Sequence, residues 1–160
     1  MSQPTNTLLQ PYLFFGGRCE EAIEFYRTAL GAEVVMLMRM DESPEPPPAG
    51  MLPTGSEKMI MHSCLRIGDA SFMLSDGCCS GGVSFDGFSL SLTLASDAQV
   101  DRAFAALAEG GEVRMPLGKT FWSPRFGMVA DKFGVGWMLS VPMENAQDFS
   151  RADEALVGAR

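Results

Sequence analysis

Few side chains in this sequence could carry acid–base or metal chemistry, and the first to consider is its single histidine, His62. Strand alternation places Ile60, Cys64 and Arg66 on the same face as that imidazole. An imidazole can ligate, carry a proton or pair within a sheet, so His62 reads as a cavity ligand, a proton shuttle or a hydrogen-bonded strand residue. The four cysteines, Cys19, Cys64, Cys78 and Cys79, include no C-x-x-C spacing of the kind that lets two thiolates grip one zinc ion. The adjacent Cys78 and Cys79 read either as a reactive pair or as tolerated free thiols. A second cluster, Lys119 to Arg125, joins Phe121 and Trp122 to two cations and two hydroxyls. That mixture orients small ligands in pockets, and it is equally the chemistry of a dimer contact or of core filling. The planar fork of Arg125 suits a carboxylate or phosphonate. Glu20, Glu21 and Glu24 form a solvated helix face near the positive helix end rather than a catalytic pair.

Positioning these residues takes a regular series of elements. Residues 8–15 are aromatic and aliphatic and stop at Gly16 and Gly17, as a buried strand ending in a turn does. Residues 19–30 carry Ala22, Ile23, Tyr26, Ala29 and Leu30 at helical spacing, with Gly31 as the C-terminal stop. Residues 32–40 read as a second strand. Residues 41–57 hold Pro44, Pro46, Pro47, Pro48 and Pro53 and form a long loop, because each proline removes a backbone donor. Strands over 58–67 and 70–75 are divided by a turn at Gly68 and Asp69. After a glycine-rich link the order begins again. Phe88, Leu90, Leu92 and Leu94 alternate with Ser89, Ser91 and Thr93 in a half-buried strand. The second helix opens at Ser96 with Gln99 as its capping-box partner. It carries Val100, Phe104 and Leu107 as an apolar stripe and ends at Gly110 and Gly111. Strands over 112–117, 126–130 and 136–141 follow, and residues 143–160 form a polar, helical tail.

Each half therefore reads strand, helix, strand, strand, strand, and individual residues repeat as well. Phe25, Gly31, Glu33, Val34 and Met36 match Phe104, Gly110, Glu112, Val113 and Met115 at one constant spacing. Phe72 to Ser75 and Trp137 to Ser140 match at a shorter spacing, which the proline-rich insertion of the first half explains. The predicted fold class is α+β, with two βαβββ modules, 8–76 and 87–142, in a single domain over residues 1–142. The modules are expected to join as an incompletely closed eight-stranded barrel with the helices outside. Parity then turns Gln10, Tyr12, Phe14, Ser89, Ser91 and Thr93 inward, together with Met73, Ser75, Met138 and Ser140. Phe72, Leu74, Trp137 and Leu139 take the core side.

The segments PYLFFGGRCEEAIEFYRTALGAE, HSCLRIGD and KTFWSPRFGMVADKFGVGWMLS resemble the PhnB-like branch of the vicinal oxygen chelate superfamily of glyoxalases, bleomycin-resistance proteins and dioxygenases. The likeness runs over nearly the whole chain to about Pro142. The FYRTALGAE helix end is shared across the superfamily, whereas FW followed by FGMVADKFGVGWM is more specific to the branch. The resemblance implies paired βαβββ modules and a homodimer. In catalytic relatives it also implies a divalent metal that chelates adjacent substrate oxygens, while others, such as the bleomycin-sequestering proteins, only bind. Ligands in the metal-using relatives are His, Gln or Glu on the first and fourth strands of each module, which here fall near Gln10, Met73, Ser89 and Met138. Only Gln10 suits such an ion, since a thioether is a poor partner for a hard cation. A divalent-metal cofactor thus meets an incomplete ligand set, and no metal ligand is assigned. The ligand cavity is expected around Gln10, Tyr12, His62, Ser89, Trp122, Arg125 and Met138, with the catalytic residues unassigned. The branch has also carried the label of 3-demethylubiquinone methyltransferase. No glycine-rich strand-to-helix turn is present to cradle a nucleotide-like methyl donor, and the two repeats leave no room for a Rossmann domain.

Twelve Lys and Arg against 20 Asp and Glu give a formal charge of −8, which repels phosphate backbones and anionic lipid and disfavours nucleic acid and membrane as partners. No apolar stretch approaches the roughly 20 residues that span a bilayer. The N-terminus lacks the pattern of a signal peptide, so a cytoplasmic protein with free thiols is expected. The 12 methionines, several at inward strand positions, offer either a thioether surface for apolar ligands or adaptable core packing. The expected function is binding of a small molecule by a homodimer. The alternatives are a divalent-metal lyase, isomerase or dioxygenase, and a structural or regulatory homodimer.

Overall fold

Two copies of one strand–helix–strand–strand–strand unit carry the chain. The computed structural model describes residues 7–45, 48–77 and 82–143. Cys78, Cys79 and the expected helical tail from residue 144 onward lie outside them. The first copy comprises β1 (Tyr12–Phe14), α1 (Cys19–Leu30), β2 (Glu33–Arg39), β3 (Ile60–Ile67) and β4 (Ala70–Ser75). The second comprises β5 (Leu90–Thr93), α2 (Asp97–Ala108), β6 (Glu112–Gly118), β7 (Phe126–Ala130) and β8 (Gly136–Ser140). The chain divides into two compact units, Met1–Ser84 and Phe85–Arg160, each holding one four-stranded mixed sheet. The strand orders are β1-β4-β3-β2 and β5-β8-β7-β6, with the first two strands of each list parallel and the other neighbours antiparallel. The class is α+β with two βαβββ modules.

The helices form where the apolar spacing places them. Cys19, Ala22, Ile23 and Tyr26 are the buried face of α1, and Tyr26 packs edge-on against Phe15 and Phe72 at 6.3 and 5.9 Å between ring centres. Gly31 closes α1 in the left-handed region at φ 64°. Its N–H donates to the Arg27 carbonyl at 3.0 Å and that of Ala32 to Tyr26 at 3.3 Å, which satisfies carbonyls the last turn leaves free. Ser96 caps α2 by accepting from the Gln99 N–H at 3.3 Å. Gln99 Oε1 reaches back to the Ala95 N–H at 3.0 Å, one residue ahead of the usual capping-box return. Val100, Ala103, Phe104 and Leu107 are its buried face.

The repeat extends to an irregularity that the sequence does not advertise. In the first sheet the pairing steps from Val34 with Leu65 to Met36 with Cys64, leaving Val35 as an extra residue. In the second it steps from Val113 with Val129 to Met115 with Met128, leaving Arg114 extra at the matching place. Both units therefore carry the same β-bulge, with the local kink and added twist that a bulge brings.

Several expectations need correction. The first strand is confined to Tyr12–Phe14: Pro11 has no N–H to donate to a ladder, and Leu8 and Leu9 are exposed rather than buried. A second register step, from Met38 with His62 to Arg39 with Ile60, makes Met61 the extra residue on β3. The step moves Ile60 off the face of His62, and Ile60 is fully buried. Phe88 lies just outside β5 and is exposed. Met40–Glu42, divided above between strand and loop, is a single 3₁₀ turn.

Candidate functional site

Each sheet has one face under its helix and one open face. On the first sheet Leu65, Phe72 and Leu74 are buried, whereas the register lines up Tyr12, Met73, Cys64 and Met36 on the opposite face across four strands. His62 and Met38 form the neighbouring cross-strand pair. Tyr12 and Phe14 remain 40% and 53% exposed, and their rings stack at 5.0 Å. Tyr12 reaches across β4, and its Oη lies 2.7 Å from His62 Nδ1. The two rings are 5.5 Å apart. That bond orients the imidazole and leaves Nε2 for a further partner. Burial raises the phenol's pKa, opposed in part by the Ser75 hydroxyl, so Tyr12 keeps its proton at neutral pH. Ser75, expected to face inward, is itself buried, and its Oγ lies 2.8 Å from the Met61 carbonyl and 2.9 Å from the Gly77 nitrogen. It secures backbone.

The second sheet repeats the row as Ser91, Met138, Met128 and Met115. Trp137 and Leu139 are buried beneath the helix, with Met138 half-buried on the other side. Thr93 Oγ1 and Ser140 Oγ are 3.2 Å apart. Ser89 precedes β5, and a Cβ added to Gly136 would come within 2.7 Å of its Oγ, so the serine packs directly on the β8 backbone. Gln10 is half-buried just ahead of β1.

The segment 119–125 is held by its own hydroxyls. Ser123 Oγ lies 2.8 Å from the Arg125 carbonyl and 2.7 Å from that of Val141. Trp122 packs edge-on to Phe126 and Phe121 at 5.3 and 4.6 Å. Arg125 is already paired, since its Nε and Nη2 both lie 2.6 Å from Asp101 Oδ1 on α2. No spacing rule links that carboxylate to the loop, and sequence reasoning missed it. Gln10, Tyr12 and His62 thus belong to the first unit, and Ser89, Trp122, Arg125 and Met138 to the second. Tyr12 and His62 share a hydrogen bond within the first unit.

The profile of the Glyoxalase/Bleomycin resistance protein/Dioxygenase superfamily matches residues 8–139. The chain belongs to this superfamily. Protein YjdN of Escherichia coli (strain K12) is 39% identical over 140 residues, which cover 83% of this chain and 94% of that protein. Protein PA1353 of Pseudomonas aeruginosa is 39% identical, with a TM-score of 0.75 over 86% of this chain and 98% of its own. The PhnB protein of Bacillus cereus is 28% identical, with a TM-score of 0.69 over 84% and 99% of the two chains. The PhnB-like character of this superfamily member is therefore plain.

The divalent metal that the superfamily implies does not fit the residues present. The β4 and β8 positions offer the thioethers of Met73 and Met138, soft donors poorly matched to an oxygen-preferring ion. Among the described residues no three His, Cys, Asp or Glu side chains gather closely enough to hold one. None of their helices is long and apolar enough to cross a membrane.

Proposed function

We propose that this protein binds a small, partly apolar molecule against the open sheet faces, with the Tyr12–His62 pair fixing its polar group. The observation that carries this reading is the 2.7 Å bond between Tyr12 Oη and His62 Nδ1, set among Phe14, Met36, Met38 and Met73. An oriented hydrogen-bonding couple on an apolar, thioether-rich surface is the composition of small-ligand sites. In this reading the two modules curl into one incompletely closed eight-stranded barrel over residues 1–142. Gln10, Ser89, Trp122 and Met138 complete the lining. Arg125, held by Asp101, borders it. The protein works as a cytoplasmic homodimer, and methyl transfer is no part of its activity.

Thermal-shift screening followed by equilibrium dialysis tests the proposal, using small aromatic acids, phosphonates and neutral aromatic compounds as probes. A hit should weaken about tenfold in both His62→Ala and Tyr12→Phe, the effect of losing one buried hydrogen bond. A screen with no hit, or hits indifferent to both variants, would overturn it.

A further inference from the structure

The mismatch with a hard divalent ion has a positive side, because the donors that are present form a set of their own. Met36, Cys64 and Met73 are directly opposed across three adjacent strands. Directly opposed residues share a face, with Cα atoms roughly 4.5–5.5 Å apart. The three side chains therefore share one face, with Cys64 Sγ 4.0 Å from the Leu65 carbonyl oxygen. Cys64 is a half-buried free thiol, Met36 is 39% exposed and Met73 is half-buried, so the row is open to a ligand. His62 stands two residues along β3 from Cys64 and pairs with Met38.

We propose that this row is a site for a soft, closed-shell monovalent cation, Cu(I) or its analogue Ag(I), held by the Cys64 thiolate and the Met36 and Met73 thioethers with His62 alongside. Thiolate and thioether donors select Cu(I), whereas divalent ions of the oxygen-loving kind are bound by carboxylate, carbonyl and water. A methionine arm is unbranched and has three rotatable bonds, so two of them can close on an ion beside a fixed thiol without moving backbone. One thiolate also neutralises the single positive charge. The second unit supplies an internal comparison: its equivalent row, Met115, Met128 and Met138, has thioether in place of the thiol. It lacks an anionic donor and is the weaker of the two.

This site shares His62, Met36 and Met73 with the proposed small-molecule surface, but small-molecule binding is measured without metal, so either can fail alone. The test uses the full chain with Cys78→Ser and Cys79→Ser, which leaves Cys64 and Cys19 as its thiols; Cys19 is fully buried. Cu(I) is titrated without oxygen against a coloured Cu(I) chelator, bound ions are counted by native mass spectrometry, and Ag(I) serves as a second probe. One tightly held Cu(I) per chain is expected. Loss of a direct donor should cost at least the roughly 10–100-fold in affinity that loss of a ligand-orienting group costs, with Cys64→Ser at or beyond the upper end and Met36→Leu and Met73→Leu near the lower. Met128→Leu should leave the tight event unchanged, and circular dichroism of each variant should show the fold intact. No Cu(I) uptake in this background, uptake insensitive to both leucine variants, loss of the tight event in Met128→Leu, or tighter binding of Mn(II), Ni(II) or Zn(II) would each overturn the assignment.

Discussion

Asp76 is almost fully buried, and its carboxylate accepts from the Gly17, Cys19 and Ile60 N–H groups, each at 2.8 Å. It caps α1 from a distant strand end, where Arg18 makes no side-chain cap, and ties that helix to the start of β3. An acid after a strand looks like an ordinary turn residue, so nothing in the sequence marked it. Asp76→Ala leaves two buried donors and one part-buried donor without their charged acceptor and should cost about 3 kcal/mol; urea unfolding that shows a loss below about 1 kcal/mol would contradict this. Cys19, beside it, has no exposed surface, and burial first, with the Asp76 charge second, pushes its thiol from 9.0 up to about 12. The sign follows from linkage: the unfolded thiol ionises near pH 9 while the folded one keeps its proton, so stability present below that pH is lost as pH rises toward 12. Relative to Cys19→Ala, the wild-type protein should lose stability above pH 9 at up to about 1.4 kcal/mol per pH unit. Parallel stability curves for the two would remove the argument. Tyr12 and His62 were each legible as candidate ligands, but their bond was not, because it spans β4 and depends on the strand order.

At the level of elements, the helices were readable to the residue in α1 and to within a residue in α2, since 3.6-residue spacing, a serine cap and terminal glycines all agree. Strand faces were less legible. A bulge shifts parity by one, and one residue is enough to turn Ile60 from the open face to the helix side; no composition signal marks Met61, Val35 or Arg114 as extra. Close packing between elements is similarly silent. Gly111 enters β6 so near the end of β7 that an added Cβ would lie 2.2 Å from the Ala130 carbonyl oxygen and 3.0 Å from Asp131 backbone. Backbone cannot step aside as a side-chain tip can. Gly118, at the far end of β6, has nothing within 4 Å of the same atom. Gly111→Ala should therefore destabilise by about 2–3 kcal/mol, the cost of forced overpacking, while Gly118→Ala stays within about 0.5 kcal/mol of the parent. Paired thermal melts decide it, and equal melting temperatures for the two variants would show that the strand ends relax freely.

For the whole molecule the doubled pattern was the most legible feature, because matched residues and matched helices recur at fixed spacings. What those spacings leave open is the cover for the open sheet faces, where Tyr12, Phe14, Met36 and Met115 keep between 39% and 53% of their surface exposed. Apolar surface of this kind marks a contact or a binding groove, and the proposed homodimer would cover what the ligand leaves open. Such an assembly works against charge, since each copy carries −8 and like charges at the surface repel. Salt screens that repulsion, with a Debye length of about 10 Å at 0.1 M shrinking to about 3 Å at 1 M, and leaves apolar burial in place. Association should therefore tighten as salt is added. Sedimentation equilibrium is expected to give twice the 17.3 kDa chain mass, with a dissociation constant that falls between 0.05 and 0.5 M sodium chloride, by about tenfold for ~1.4 kcal/mol of relieved repulsion. A single-chain mass at both salt concentrations would rule out self-association as the cover, and a dimer that loosens with salt would mean that ion pairs rather than apolar faces hold it.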